Sequence, residues 1–128
     1  MKKQLLKVIP AILIVVAVFA GCGAAPTYAE VLDEYSAKIR EATPGLLEEF
    51  EAEAAELQGD VTQLAALSTE KIEELAAISA EGTGKMADVH LKNKDEDSVY
   101  EEWAAKLNAV YEEEAQKITD AYMELTVQ

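Results

Sequence analysis

The residues that build disulfides, metal sites and sharp turns are scarce in this 128-residue chain, which holds one cysteine, one histidine, three prolines and six glycines. One cysteine cannot close an internal disulfide, and one cysteine with one histidine cannot make a structural zinc site. Basic residues are also few, with 11 Lys and Arg against 25 Asp and Glu. A chain this acidic is not expected to bind nucleic acid, because phosphate contacts need clustered positive charge. The length suits one small domain.

The first 21 residues differ from the rest of the chain in charge and in hydropathy. Residues 1–7 carry three lysines, residues 8–20 have no polar side chain, and Gly21, Cys22 and Gly23 follow. Thirteen apolar residues are too few for a spanning helix, which needs about 20. A basic segment followed by an apolar segment and then small residues is the order of a secretory signal. Without residues 1–21, the remaining 107 residues hold eight basic and 25 acidic side chains, a net charge of −17.

Phe19, Ala20, Gly21 and Cys22 resemble the lipobox of bacterial lipoprotein signal peptides, although Phe19 stands where leucine, valine or isoleucine is usual. The resemblance implies that a diacylglyceryl group is attached to the thiol of Cys22. It also implies that the chain is cut between Gly21 and Cys22, so that residues 1–21 are removed. Two or three acyl chains retain a protein at a bilayer, since each buried methylene contributes about 0.8 kcal/mol.

Three other interpretations of these residues stay open. They are an ordinary buried thiol at Cys22, secretion after cleavage at a Thr27-Tyr28-Ala29 site, and an uncleaved membrane anchor. We favour lipidation because the one cysteine of the chain lies where a lipidated cysteine is expected. Residues 22–26 are then the lipidated cysteine and a tether of about 15 Å, at roughly 3.3–3.6 Å per residue.

Residues 27–128 are predicted to form one all-α domain, with three long helices in an up-down-up bundle. This part of the chain contains one proline and four glycines, and Ala, Glu, Leu and Lys dominate it. These four residue types are good helix formers, and no window shows the sustained alternation of a strand.

Glycine and capping residues predict where the helices begin and end. The first helix is expected to begin at Pro26 or Thr27 and to end near Gln58-Gly59, because glycine often follows a helix. Asp60 is expected to cap the second helix and Ser98 the third, each with Gln or Glu three residues later in a capping box. Residues 92–97 are interpreted as a polar connector.

Apolar residues in each helix recur at a spacing of eleven, a hendecad periodicity. Eleven residues in three turns is 3.67 residues per turn, so the helices are expected to lie nearly straight or to coil weakly right-handed. The pattern keeps its phase across Pro44, which predicts a continuous but kinked first helix. Gly82 lies on the inward line of the second helix, where a small residue would let a neighbouring helix approach closely. The sets eleven apart include Tyr28, Ile39 and Phe50; Leu64, Leu75 and Met86; and Tyr100, Tyr111 and Tyr122.

Candidate catalytic and metal sites are weak in this sequence. Neighbouring glutamates point around a helix, so they are expected to form a solvated surface. A di-metal site in a helical bundle needs Glu-x-x-His motifs, but Ala87 stands three residues before His90, and no EF-hand loop is present. Gly82-Thr83-Gly84 does not complete the Gly-Lys-Ser/Thr pattern of a phosphate loop, and it lies inside a helical stripe. We therefore expect no catalytic residues, no cofactor and no metal site, and a protein that is not an enzyme.

His90 and the aromatic residues allow two interpretations each. His90 is expected to be a cation at a helix C-terminus or an ordinary surface residue, in preference to a ligand or a catalytic base. Trp103 and the line of tyrosines are expected to pack in the core and at its rim, with an aromatic ligand groove as the alternative.

Residues 75–82 with 85–87, and residues 100–107, resemble uncharacterised small lipoproteins of Gram-positive bacteria. The resemblance supports the membrane location and implies no activity. Alanine makes up 19 of the 49 apolar residues after Gly21, so the core is thin and contact with a second copy or a protein partner would add burial. We expect a structural or interaction module, lipid-anchored on the extracytoplasmic face of the cell membrane, with the membrane and a possible protein as its partners and no nucleic acid. The alternative is a small-ligand or cation-binding lipoprotein with a groove between its helices.

Overall fold

Three helices make up almost all of residues 26–127, the part of the chain that the computed structural model describes. They are α1 (Tyr28–Glu56), α2 (Val61–Asn93) and α3 (Asp97–Thr126). Each helix packs against both others, and short connectors make sequential neighbours antiparallel. The predicted all-α three-helix bundle is therefore confirmed. We call the end with the start of α1 and the α2–α3 connector the proximal end, and the opposite end the distal end.

The start of α1 is fixed by a reciprocal capping box. The Thr27 hydroxyl accepts a hydrogen bond from the Glu30 N–H at 3.1 Å, and the Glu30 carboxylate accepts one from the Thr27 N–H at 3.1 Å. Both of these donors would otherwise lack a partner in the helix. The capping box thus fixes Tyr28 as the first helical residue.

The end of α1 and the start of α2 agree with the sequence-based boundaries. Gln58 and Gly59 have positive φ angles of 53° and 84°, which terminate α1 where the prediction placed its end. Asp60 caps α2 as predicted, by accepting from the Gln63 N–H at 3.1 Å. The Gln63 side chain donates to the second carboxylate oxygen of Asp60 at 2.9 Å. These hydrogen bonds, the side-chain one first, lower the pKa of Asp60.

The prediction for the start of α3 was wrong. The helix begins at Asp97, one residue before Ser98, and the N-cap residue Glu96 makes no side-chain capping bond. α2 also runs further than expected, to Asn93, and ends at Lys94 in the left-handed conformation with φ 56°. The connector is shorter than the predicted 92–97 because His90 of α2 bonds to Asp97, which draws the two helix ends together.

α1 is continuous through Pro44, as the unbroken phase of the apolar pattern predicted. Proline removes one backbone donor from the helix ladder. At the residue before it, the buried Thr43 hydroxyl donates to the carbonyl of Ile39, one turn earlier, at 2.9 Å. The bond ties the Thr43 side chain to its own helix, so the hydroxyl is not left unsatisfied in the core.

The core runs along the whole bundle in two clusters. The larger fills the proximal and central parts, and the smaller, around Phe50 and Leu64, lies at the distal end. The predicted close approach of a neighbouring helix at Gly82 is confirmed, and both other helices take part in it. A Cβ atom there would be 2.6 Å from Cδ2 of Leu107 on α3 and 2.8 Å from Cγ of Tyr35 on α1. Of the three sets of apolar residues spaced eleven apart, those of α1 and α2 are buried, whereas the three tyrosines of α3 are only half-buried. The supercoil that the spacing implies stays a prediction.

Candidate functional site

Gly21 and Cys22, the predicted cleavage and lipidation residues, lie outside the described residues. The structure does fix where the folded part begins relative to them. α1 starts at Tyr28, so five residues, 23–27, separate Cys22 from the first helical residue. The predicted attachment point is therefore close in sequence to the proximal end of the bundle.

The proximal end contains a hydrogen-bonded cluster centred on His90. Its Nδ1 lies 2.6 Å from Oδ1 of Asp95, and its Nε2 lies 3.0 Å from Oδ1 of Asp97. The Tyr28 hydroxyl donates to the same Asp95 oxygen at 3.2 Å. The Tyr100 ring lies beside the imidazole, with centroids 5.7 Å apart. His90 thus joins α2 to the connector and to α3, and the hydrogen bond from Tyr28 to Asp95 joins α1 to the same cluster.

The charges of this cluster shift its titrations. The hydrogen bond that His90 donates to Asp95 and, after it, the one to Asp97 raise the pKa of His90 despite partial burial. The hydrogen bond with His90 in turn lowers the pKa of Asp95. Burial and the hydrogen bond to Asp95 raise the pKa of Tyr28, which keeps its hydroxyl protonated as a donor. The sequence left His90 as either a cation at the C-terminus of α2 or an ordinary surface residue, and it gave no sign of the two carboxylate partners.

Trp103 packs against the same end of the bundle. Its ring stacks on Tyr28, with centroids 5.9 Å apart and planes within 5°. The Lys106 ammonium lies 4.2 Å from the centroid of the Trp103 ring, within range of a cation–π contact. Tyr100 and Tyr111 pack on the main core, and Trp103 does the same. These contacts favour the packing interpretation of the aromatic residues over an aromatic ligand groove.

Lys71 is a buried cation in the centre of the distal half. Its side chain is 5% exposed, and its ammonium lies 3.1 Å from Oε1 of Glu49 and 3.4 Å from Oε2 of Glu53 on α1. Burial alone would lower the pKa of Lys71, but the hydrogen bonds and charges of the two glutamates outweigh it and raise that pKa. Burial raises the pKa of the neighbouring Glu74.

Glu114 is the buried counterpart on α3. Its side chain is 3% exposed and accepts from the half-exposed Lys117 ammonium at 3.0 Å and 3.1 Å. Most other glutamates are exposed, in line with the predicted solvated surface. Lys71 and Glu114 could have been found from helical spacing. Lys71 lies four residues from both Leu67 and Leu75, and Glu114 lies seven residues after Leu107 and four before Ile118, so both fall on the inward line of their helix.

Among residues 26–127, no group of three or more His, Cys, Asp or Glu side chains is arranged to hold a metal ion. None of the helices in this part of the chain has the length and hydropathy needed to cross a membrane.

Two open grooves run between pairs of helices. The first, of about 590 Å³ between α1 and α3, is lined by Leu32, Asp33, Ser36, Ala37, Arg40, Glu41, Lys106 and Val110. Its two cations already have partners, since Lys106 lies over Trp103 and Arg40 lies 3.9 Å from Glu113. The second, of about 540 Å³ at the distal end, is lined by Glu53, Glu56, Leu57, Gln63, Ala66, Leu67 and Glu70. If the chain were a ligand-binding protein, as in the alternative interpretation, its ligand would bind in one of these grooves.

The chain matches no model of a protein family, no curated protein and no solved structure. Its function must therefore be argued from its own residues and their geometry.

Proposed function

We propose that this chain is a lipid-anchored helical bundle on the extracytoplasmic face of a bacterial cell membrane, where it acts as a structural or interaction module. The observation that carries the proposal is the position of the one cysteine. Cys22 follows an apolar segment and precedes the capped start of α1 by only a few residues. The Thr27 capping box supports this, because it fixes the beginning of α1 at Tyr28, so that residues 23–26 can serve as the tether.

This attachment orients the bundle. A tether of about 15 Å holds the proximal end near the bilayer. α3 has 30 residues, which at 1.5 Å per residue make a rod of about 45 Å. A bundle standing on its tether would therefore present its distal end about 45 Å or more from the membrane surface. A partner outside the membrane would meet that end first.

The distal half is both strongly acidic and partly apolar. Residues 44–77 and 113–127, which form it, contain 13 Asp and Glu against two Lys. Both of those lysines, Lys71 and Lys117, are already bonded to glutamates. Large apolar side chains are nonetheless exposed at this end, namely Val61, Met123, Leu125 and Val127. A second copy would be repelled by like charge, so the partner that fits is a protein with basic residues around an apolar patch.

A site-specific photocrosslinker tests this surface. Placed at Val127, it should capture a different protein in intact cells, and raising the salt concentration should weaken the capture because the attraction is between exposed charges. The matched control is the same crosslinker at Lys85, which is exposed in the proximal half. Equal capture from both positions, or capture of a second copy of this chain, would contradict the assignment of the distal end.

Replacing the anchor residue tests the location. In the Cys22→Ser variant of the full chain, we expect the protein either to leave the membrane fraction or to remain as an uncut precursor, since serine has no thiol to alkylate. Thr27→Ala is the matched control, because it weakens the α1 cap by about 1 kcal/mol but leaves the cysteine in place. That control should stay processed and membrane-bound. A Cys22→Ser protein that is cut and still sediments with membranes would refute lipid anchoring.

A further inference from the structure

Both ring nitrogens of His90 face carboxylate oxygens. The Nδ1 contact to Asp95 is 2.6 Å and the Nε2 contact to Asp97 is 3.0 Å, both within hydrogen-bond range. An ionised carboxylate can only accept hydrogen bonds, so both nitrogens must donate. Neutral imidazole carries one N–H, and only the imidazolium carries two. The geometry is therefore that of a protonated His90.

We propose that His90 is a pH-sensitive clamp, which closes the proximal end of the bundle while its imidazole is protonated and loosens the α2–α3 connector when the proton leaves. When the proton leaves, one ring nitrogen has a lone pair in place of its N–H, and this lone pair faces an anionic oxygen. One of the two hydrogen bonds must then break, and the contact that held it becomes repulsive.

Every element of the proximal end contributes to this clamp. The connector supplies Asp95, α3 supplies Asp97 and the Tyr100 ring, and α1 supplies Tyr28 through its hydrogen bond to Asp95. Asp95 is the stronger partner, because its side chain is 23% exposed whereas that of Asp97 is 90% exposed. Water and salt screen the exposed contact more.

The pH window follows from the directions of the shifts. The pKa of His90 is raised in the folded chain, so its stabilising contribution is fully present below about 6.5, the ordinary histidine value. That contribution is lost as pH rises through the folded value. The pKa of Asp95 is lowered, so its contribution is lost only in acid, below about 3.9. The clamp is closed between these limits and opens on the alkaline side.

Tyr28 connects the His90 clamp to the aromatic residues of the proximal end. Tyr28 bonds to Asp95 with its hydroxyl and stacks on Trp103 with its ring. Neutral imidazole keeps its one N–H on Asp95, the stronger partner, but it donates a weaker hydrogen bond than imidazolium does. Asp95 and the Tyr28 hydroxyl bound to it are then held less firmly, which loosens the stack. The clamp requires neither the lipid nor a partner, so it stands or falls separately from the proposed function.

The first test is a histidine titration of the full chain in detergent micelles. With one histidine in the sequence, its side-chain NMR signals need no assignment. We expect a titration midpoint above 6.5, the ordinary value. Asp95→Asn should bring the midpoint down, and Asp97→Asn should lower it by less. A wild-type midpoint at or below 6.5, or one that Asp95→Asn leaves unchanged, would overturn the clamp.

The second test reads the coupling through the one tryptophan, measured from pH 5 to pH 9. Trp103 emission should change with the same midpoint as His90, and His90→Gln should abolish the change. Tyr28→Phe is the matched control, because it keeps the aromatic ring but removes the hydroxyl that contacts Asp95. In that variant His90 should still titrate while Trp103 emission no longer follows it. Emission that stays flat through the wild-type midpoint would show that deprotonation does not loosen this end.

Discussion

Replacing Gly82 with alanine should destabilise the bundle, although alanine is the better helix former. The new Cβ would lie 2.6 Å from Cδ2 of Leu107, and 2.8 Å and 2.9 Å from Cγ and Cβ of Tyr35. Leu107 can move its terminal methyl group only into a core where it is 0% exposed. The Cβ of Tyr35 is attached directly to the α1 backbone, so the helices themselves must move apart. Overpacking of this kind typically costs about 1–3 kcal/mol.

Gly84→Ala is the matched control on the same helix. A Cβ at Gly84 would meet nothing within 4 Å, so only the gain in helix propensity remains. That gain is roughly 0.5–1 kcal/mol. The two variants should therefore shift the melting temperature in opposite directions, with about 4–8 °C for each kcal/mol in a domain of this size. Equal shifts of the same sign, measured by thermal circular dichroism, would contradict the close approach of the three helices at Gly82.

Reversing the charge of Lys71 should be the most damaging change on the distal half. In Lys71→Glu, a carboxylate would replace the buried ammonium and face Glu49 and Glu53, with Glu74 nearby. An uncompensated buried charge costs about 3–5 kcal/mol, a large part of the stability of a small domain. We expect the free energy of unfolding at neutral pH to fall by at least about 3 kcal/mol.

The pH dependence separates charge from shape in this variant. The new carboxyl would have its pKa raised above the ordinary value of about 4.3 by burial and by its anionic neighbours. Its penalty is therefore present at neutral pH and should fade as pH drops below the folded pKa. Lys71→Met is the control, since it keeps a long apolar stem and leaves two half-exposed glutamates that can be hydrated. We expect Lys71→Met to stay within about 1 kcal/mol of the wild type in urea unfolding. A Lys71→Glu protein as stable as Lys71→Met at pH 7 would contradict the burial of this position.

The sequence predicted the helices well because their signals are local. Apolar spacing and glycine positions indicated three helices, and Asp60 with Gln63 marked the start of α2. Gly82 was recognised because a glycine on an inward line has few other roles. In each case the deciding interactions lie within one helix or on one face of it.

The predictions failed where contacts between distant residues decide the outcome. Ser98 has the sequence of a capping residue, but the N-cap of α3 is Glu96, two residues earlier, and the hydrogen bond from His90 to Asp97 lies at that start. Lys71 and Glu114 resemble surface residues of an acidic bundle in composition, and only their neighbours make them buried. Helical periodicity could not predict the partners of His90 either, because Asp95 belongs to the connector and Asp97 to the next helix.

The intact mass of the protein extracted from membranes tests the central claim most directly. Lipid anchoring predicts a chain that begins at Cys22, lacks residues 1–21 and carries at least the mass of a diacylglyceryl group on its first residue. Replacing Cys22 with serine should remove that species. A membrane-extracted chain that begins at Met1 with a free thiol, or one that begins at Glu30 after cleavage behind Ala29, would contradict the account.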